Sequence, residues 1–191
     1  MAALGDSITA GSPKWDPDEG VRNRLGAALD PESQFEYWAQ LRLGDEVTFR
    51  NCGVFGERTD EIAARQDACA KGARYLVIQG GINDIAQGRP AADAARSIRG
   101  MVIRGKEAGL RVGLVDVLPW NNGHPRADRP IAELNRAIHA IGREERVPVL
   151  DFHDALEDPR AEGTMSARYT DDGDHPSVAG YRRLGTIFRL P

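Results

Sequence analysis

Short apolar segments alternate along the chain with segments in which apolar residues recur at helical spacing. Strands are predicted over residues 1–4, 47–51, 75–79, 111–117 and 147–151. The segment 75–79 is almost continuously apolar, which is typical of a strand buried on both faces. Apolar stripes predict helices over residues 35–43, 59–70 (with Thr59 as its cap), 90–108 and 131–141, and a last helix that begins near Ser177.

This alternation predicts an α/β domain built on one parallel sheet that is covered by helices on both faces. The 191 residues contain no internal repeat and no linker, so residues 1–191 are interpreted as a single domain. Ligands of such sheets bind at the carboxyl ends of the strands. Ser7, Gly56 and Asn83 each follow a predicted strand end, so the fold is expected to bring them together.

Composition narrows the classes of partner. The formal net charge of −4, with no cluster of basic residues, argues against binding to nucleic acid or to anionic lipid. No apolar run approaches the roughly 20 residues that span a bilayer, and no signal-like segment precedes Gly5, so a cytoplasmic location is expected, with secretion of a processed form left open. The short first strand also leaves open a natural start further upstream.

The two cysteines, Cys52 and Cys69, match neither a CxxC motif nor a metal-ligand spacing. Two free thiols in a reducing cytoplasm are the more economical interpretation, and a disulfide between them is the alternative.

The strongest chemical signal is a serine that follows the first strand. Gly5 permits a sharp turn after the apolar residues 1–4, and Ser7 then stands where a helix or loop begins. A serine nucleophile needs a base and a group that orients that base. Asp172 and His175 are three residues apart near the C-terminus, so one tight turn can hold the carboxylate against the imidazole.

Two further interpretations concern the other polar residues. Asp171, Asp172, Asp174 and His175 could instead bind a divalent cation, although no second ligand cluster is evident in the sequence. The remaining histidines are interpreted as structural or surface residues. His139 lies on a predicted helix, and His124 and His153 lie in predicted loops.

An attacked ester carbonyl also needs hydrogen-bond donors for its developing oxyanion. Backbone amides in glycine turns and asparagine side chains are suitable donors, each worth roughly 3 kcal/mol in the transition state. Gly56 and Asn83, together with the amide of Ser7, are placed to supply them.

Four blocks of this sequence, in order, resemble the four conserved blocks of the SGNH/GDSL hydrolases: residues 5–7, 54–59, 81–84 and 172–176. The resemblance implies a flavodoxin-like three-layer α/β/α sandwich with a five-stranded parallel sheet. It also implies a serine esterase without metal or cofactor, in which Ser7 is the nucleophile, His175 the base and Asp172 its partner. The oxyanion donors would be Ser7, Gly56 and Asn83. The block around Gly56 departs from the family pattern, which leaves Gly53 as a rival donor.

The expected activity is hydrolysis of a small carboxylic ester, such as a short acyl or O-acetyl ester of a carbohydrate, through an acyl-enzyme on Ser7. Trp15 and Trp120 would suit a sugar ring if they flank the cleft. The alternatives are a non-catalytic protein that binds carbohydrate or lipid headgroups and a metal-dependent phosphoesterase. The oligomeric state is left open.

Overall fold

A sheet of five parallel strands forms the centre of the computed structural model, which describes the chain from residue 1 to 191 with the side chain of Glu46 excepted. The strand order is β2-β1-β3-β4-β5, which is the flavodoxin-like order. The predicted fold class is therefore confirmed. The strands are β1 (Ala2–Gly5), β2 (Arg50–Gly53), β3 (Tyr75–Ile78), β4 (Arg111–Val115) and β5 (Val149–Leu150).

Helices cover both faces of the sheet and create two cores. The helices are α1 (Ser7–Ala10), α2 (Glu19–Leu25), α3 (Phe35–Leu43), α4 (Thr59–Ala64), α5 (Gln66–Ala70), α6 (Ile82–Ala86), α7 (Ala91–Glu107), α8 (Asp128–Glu145), α9 (Phe152–Leu156) and α10 (Val178–Ile187). Because alternate strand residues point to opposite faces, Leu4 lies in the core beneath α7 and α8, whereas Ala3 lies in the core beneath α3 and α10.

A small antiparallel hairpin lies outside the main sheet, and no alternating pattern predicted it. It consists of β6 (Glu157–Asp158) and β7 (Ala161–Met165). Among the residues described, no helix has both the length and the apolar character that crossing a membrane requires.

Several predicted elements differ in their bounds from the structure. β5 covers only two residues of the strand predicted over 147–151, and α8 extends beyond the predicted 131–141 at both ends. The strand predicted over 47–51 begins only at Arg50, because Arg50 pairs with Ala2 at the start of β1. The helix predicted over 59–70 is divided at Arg65, whose guanidinium donates to the carbonyls of Cys52 and Gly5. Arg65 therefore fastens the end of α4 to the central strands.

The predicted cap of this helix was also wrong. Arg58 is the N-cap residue, and its amide donates to the Glu61 carboxylate at 2.9 Å. Thr59 is instead buried, and both its amide and its hydroxyl donate to Asp84.

Cys52 and Cys69 form a disulfide that joins β2 to α5, so the interpretation of two free thiols was wrong. The parallel pairing of β2 beside β1 and the helix that returns over it bring the two Cα atoms to 6.0 Å, although 17 positions separate them in sequence. Since disulfides are typical of oxidising compartments, the two cysteines no longer support the expected cytoplasmic location.

One buried carboxyl group lies at the interface between α3 and α10. Glu36 is 3% exposed, and neither of its carboxyl oxygens has a hydrogen-bond partner among the residues described. Burial raises the pKa of this carboxyl group well above its ordinary value, against a smaller opposing contribution from its own backbone amide. Glu36 therefore costs stability whenever the pH favours its ionised form.

Replacing Glu36 with methionine is expected to stabilise the protein by about 1–3 kcal/mol above neutral pH. The raised pKa means that the folded state holds a proton that the unfolded chain releases as the pH rises through about 4.5. The stability that the protonated form confers is thus greatest at acid pH and is lost as the pH increases. Glu36→Gln, which cannot ionise, should remove this dependence of the free energy of unfolding on pH. Urea unfolding as a function of pH measures it, with Glu107→Gln on the surface as the control. A methionine variant that is less stable at every pH would contradict the argument.

Candidate active site

The candidate site lies at the carboxyl end of β1, between β2 and β3, where the order of strands along the sheet reverses. Such positions are the usual ligand sites of open parallel sheets. Ser7 is the first residue of α1 and is 5% exposed. At Gly5, immediately before the turn, a Cβ atom would lie 2.2 Å from Thr9 Oγ1 and 2.5 Å from Gln79 Oε1. Only glycine allows the helix to begin so close to the neighbouring strand.

Asp6 holds this turn from inside the protein. Its Oδ1 accepts a hydrogen bond from the Ile8 amide at 2.9 Å and so caps α1. Burial raises the pKa of Asp6 to about 6, against the opposing effects of the hydrogen bond from the Ile8 amide and of the nearby side chains of Gln79 and His175. Because Asp6 is fully buried, its place is structural, beneath the nucleophile.

The structure brings the three predicted triad residues together. His175 Nε2 lies 3.1 Å from Ser7 Oγ, and His175 Nδ1 lies 3.3 Å from Asp172 Oδ2. Burial alone would raise the pKa of Asp172, but amide hydrogen bonds from His175 and Asp174 and the His175 side chain outweigh it and lower the pKa. An ionised Asp172 favours a proton on His175 Nδ1, which leaves Nε2 free to accept one from Ser7.

The turn that carries His175 is fixed by its own hydrogen bonds. Thr170 Oγ1 donates to the His175 carbonyl at 2.7 Å and accepts from the Gly173 amide at 2.8 Å. Gly173 has a φ of +83°, which favours glycine at this position. α10 begins directly after Ser177, close to the predicted start, and the Ser177 side chain caps it. The histidine therefore projects from a short, internally bonded loop rather than from a free terminus.

The predicted oxyanion donors face the same edge of the sheet. The amides of Ser7 and Gly56 have no hydrogen-bond acceptor in the part of the chain that the structure describes. Asn83 Nδ2 donates one hydrogen to the Glu57 carbonyl at 2.9 Å, and its second hydrogen is left for another acceptor.

Gly53, the rival donor, has a different place. Its amide already donates to Asn51 Oδ1 at 2.9 Å. A Cβ atom at Gly53 would lie 2.0 Å from the Ala10 backbone nitrogen, so glycine is needed there for the close packing of β2 against α1.

The aspartate next to Asn83 is a positioning group that sequence reasoning missed. Asp84 is fully buried, and its two oxygens accept from the Thr59 amide at 2.9 Å and the Thr59 hydroxyl at 3.0 Å. These bonds join α6, which carries Asn83, to α4. The sequence signal was present, but an Asn-Asp pair after a strand is also typical of an ordinary turn.

The two tryptophans have different surroundings. Trp15 packs beneath the Arg22 guanidinium, 5.1 Å from the ring centroid, and so holds down its own loop. Trp120 donates from its indole nitrogen to Asp174 at 2.7 Å and stacks on His124 with centroids 3.8 Å apart. Asp174 immediately precedes His175 in the chain, so Trp120 borders the candidate site and Trp15 supports a loop.

The surface next to the triad is shallow. One small cleft of about 10 Å³ is lined by Asp172 and His175, and another of about 10 Å³ by Ile8 and Trp120. Phe55, which sequence reasoning did not single out, is 65% exposed and lies with its ring centroid 6.0 Å from that of His175.

The C-terminal carboxylates considered as metal ligands do not converge. Asp171 pairs with Lys14 at 3.6 Å, and Asp174 faces Trp120 and His124. A different set of possible ligand atoms does converge among the residues described, at Asp116, His139 and Asp151.

His153 also departs from its prediction as a loop residue. It lies in α9, and its Nδ1 is 2.7 Å from the Val117 carbonyl. It is therefore a structural residue with a fixed ring orientation.

A sequence model of the GDSL-like lipase/acylhydrolase family matches residues 3–183. The chain belongs to this family. The resemblance of the four sequence blocks is thereby confirmed, and the protein is a carboxylic ester hydrolase. No functionally curated protein matches the chain at the level of sequence.

Solved structures of other GDSL-family proteins share the fold across almost the whole chain. A protein assigned to the G-D-S-L lipolytic family from Desulfitobacterium hafniense DCB-2 is 20% identical, with a TM-score of 0.79 over 97% of this chain and 94% of its own. A lipase/acylhydrolase from Enterococcus faecalis is 22% identical, with a TM-score of 0.75 over 97% and 90%. A variant of Axe2, an acetyl-xylooligosaccharide esterase from Geobacillus stearmophilus, is 20% identical, with a TM-score of 0.73 over 97% and 90%.

Proposed function

We propose that this GDSL-family protein is a serine esterase that acts through an acyl-enzyme on Ser7. The observation that carries the proposal is the continuous chain of contacts from Ser7 Oγ to His175 Nε2, at 3.1 Å, and from His175 Nδ1 to Asp172, at 3.3 Å. These distances are within reach of proton transfer between nucleophile and base.

The chemistry follows from the roles of these atoms. His175 Nε2 takes the Ser7 proton as Oγ attacks the ester carbonyl carbon, and it then gives that proton to the departing alkoxide. Water then attacks the acyl-serine while His175 Nε2 takes its proton. The proton passes to Ser7 Oγ as the carboxylic acid is released. Asp172 stays ionised and stabilises the imidazolium that forms in each half-reaction.

Ser7, Gly56 and Asn83 are the proposed oxyanion donors. The free amides of Ser7 and Gly56 and the second amide hydrogen of Asn83 support these roles. Gly53 is not proposed, because Asn51 already occupies its amide.

The proposed substrate is an ester with a short acyl group, on an alcohol that can lie flat on the surface. The small clefts beside the triad offer little room for a long acyl chain. Trp120 and the exposed ring of Phe55 offer apolar faces to a sugar ring on the alcohol side. The acetyl-xylooligosaccharide esterase among the structural relatives supports this substrate class.

The acyl preference gives a direct prediction. The kcat/KM for p-nitrophenyl acetate should exceed that for the octanoate by at least about tenfold, because an octanoyl chain that finds no pocket gains no binding energy in the transition state. Initial rates on the acetate, butyrate and octanoate, each corrected for spontaneous hydrolysis, measure it. A preference for octanoate would contradict the short-acyl assignment while leaving the serine mechanism intact.

The mechanism itself is tested by trapping the nucleophile. A fluorophosphonate reagent should phosphonylate one serine per chain, and peptide mass spectrometry should locate the adduct on Ser7. Ester hydrolysis should be lost in proportion to labelling and should be unaffected by EDTA. Activity that disappears with EDTA and survives labelling would favour a metal-dependent phosphoesterase, and a folded protein with neither labelling nor turnover would favour a non-catalytic binding protein.

A further inference from the structure

An imidazole and two carboxylates from three different elements converge at the other end of the same sheet edge. His139 lies on α8, Asp116 directly follows β4, and Asp151 directly follows β5. Their possible ligand atoms all lie within 4.8 Å of one another. Since β4 is two strands away from β1, the cluster lies at least about 10 Å from Ser7 by strand spacing. It is separate from the candidate active site.

The distances within the cluster are compatible with three ligands of one metal ion. His139 Nε2 lies 3.4 Å from Asp116 Oδ2 and 3.7 Å from Asp151 Oδ1. The contact with Asp116 is a long hydrogen bond, and the separation from Asp151 exceeds hydrogen-bond distance. Neighbouring ligand atoms around a tetrahedral Zn²⁺, bound at about 2.0–2.1 Å, are about 3.3–3.4 Å apart. Small side-chain rotations are enough to bring the three atoms to those positions.

Asp116 is placed as a preorganised ligand. Its side chain is 4% exposed, and the His153 amide donates to its Oδ1 at 2.9 Å. This bond turns Oδ2 towards His139, which at 3.4 Å is its one partner among the residues described. A single long contact leaves this carboxylate oxygen with a lone pair for a metal ion.

Asp151 supplies an independent indication. It occupies the N-cap position of α9, where an aspartate ordinarily accepts a hydrogen bond from the first turn of the helix. Its side chain makes no such bond and lies beside His139 instead. The residue type best suited to capping α9 is therefore not used for capping.

The cavity beside the cluster carries an excess of negative charge and is open to solvent. Asp116 and His139 line an open cavity of about 530 Å³. Five carboxylates line it, that of Asp116 among them, against two guanidiniums, those of Arg136 and Arg143. The negative excess favours a cation, and the opening provides a path for its entry.

We propose that Asp116, His139 and Asp151 bind a divalent transition-metal ion of the Zn²⁺ type. The imidazole favours such an ion over Ca²⁺ or Mg²⁺, which prefer oxygen ligands alone. Bound there, the ion ties the ends of β4 and β5 to α8. The competing arrangement is a protonated His139 that pairs with both carboxylates and binds no metal.

The test uses the 191-residue chain without a histidine tag, after treatment with a chelator and removal of that chelator. Isothermal titration with ZnCl₂ near neutral pH should show one ion per chain with a Kd of about 1 μM or lower. Saturating Zn²⁺ should raise the melting temperature. His139→Ala and Asp151→Asn should each weaken binding at least about tenfold. Both side chains are partly exposed, at 37% and 61%, so the metal-free variants are expected to fold.

His124→Ala is the matched control, because His124 also faces a carboxylate, that of Asp174, but lies outside the cluster. It should bind Zn²⁺ as the unsubstituted protein does. The absence of binding by the unsubstituted protein would overturn the proposal, and so would full affinity in His139→Ala. Loss of binding in His175→Ala, with affinity retained in His139→Ala, would place the ion at the triad and also overturn it.

Discussion

Replacing Ser7 with alanine is expected to lower kcat/KM for p-nitrophenyl acetate by at least about 10⁴-fold. The substitution removes the one oxygen that lies 3.1 Å from the proposed base, so no acyl-enzyme can form. Residual turnover would come from the oxyanion donors and from His175 acting on water. Steady-state rates over a range of substrate concentrations, with the fluorophosphonate label as a second readout, measure the loss.

The Ser7 variant should remain as stable as the parent protein. The helix cap is provided by Asp6, not by Ser7, and within the part of the chain that the structure describes the serine hydroxyl contacts only His175. Ser97→Ala on α7 is the matched control and should leave kcat/KM unchanged. If the Ser7 variant retained activity within about tenfold of the parent while remaining folded, Ser7 would not be the nucleophile.

The core of the fold could be predicted from the sequence because its buried strands are short apolar runs that end in glycines or polar residues. The run from Tyr75 is the clearest of them, and β3 forms there. The strand predicted from Val47 was of the right type but had the wrong bounds, because alternation of apolar and polar residues does not set the register. The register of β2 depends on pairing Arg50 with Ala2, which is a contact between distant segments that no local window contains.

The same reasoning explains what could be predicted of the site. Ser7 could be predicted because Gly5 indicates a sharp turn after a strand. His175 could be predicted because Asp172 is three residues away. Asp84 gave only the ambiguous signal of an Asn-Asp pair, and Phe55 gave none. Their places in the site depend on Thr59 and His175, which lie far away in the sequence.

For a related reason, the disulfide was only the alternative interpretation of the two cysteines, and the proposed metal site was not predicted. Cys52 and Cys69 meet because α5 returns over β2, and nothing in their spacing required it. The three residues of the proposed metal site follow β4, follow β5 and lie on α8, and these elements are neighbours only in the folded sheet.

The second large effect is expected at Asn83. Asn83→Ala should lower kcat by about 10²–10³-fold and change KM little, because its amide is proposed to bind the oxyanion, which exists only in the transition state. The side chain also donates to the Glu57 carbonyl, so the substitution should cost about 1 kcal/mol of stability, which thermal unfolding can measure separately.

Two further variants of the same residue type separate these contributions. Asn83→Asp keeps the size of the side chain but places acceptors and negative charge where a donor is proposed, so its kcat should fall at least as far as that of Asn83→Ala. Asn23→Ala, on the exposed surface of α2, should leave both kcat and KM unchanged. A rise in KM at constant kcat in Asn83→Ala would mean that the amide binds substrate and transition state equally. Asn83 would then serve for ground-state binding, and the stabilisation of the oxyanion would rest on the amides of Ser7 and Gly56 alone.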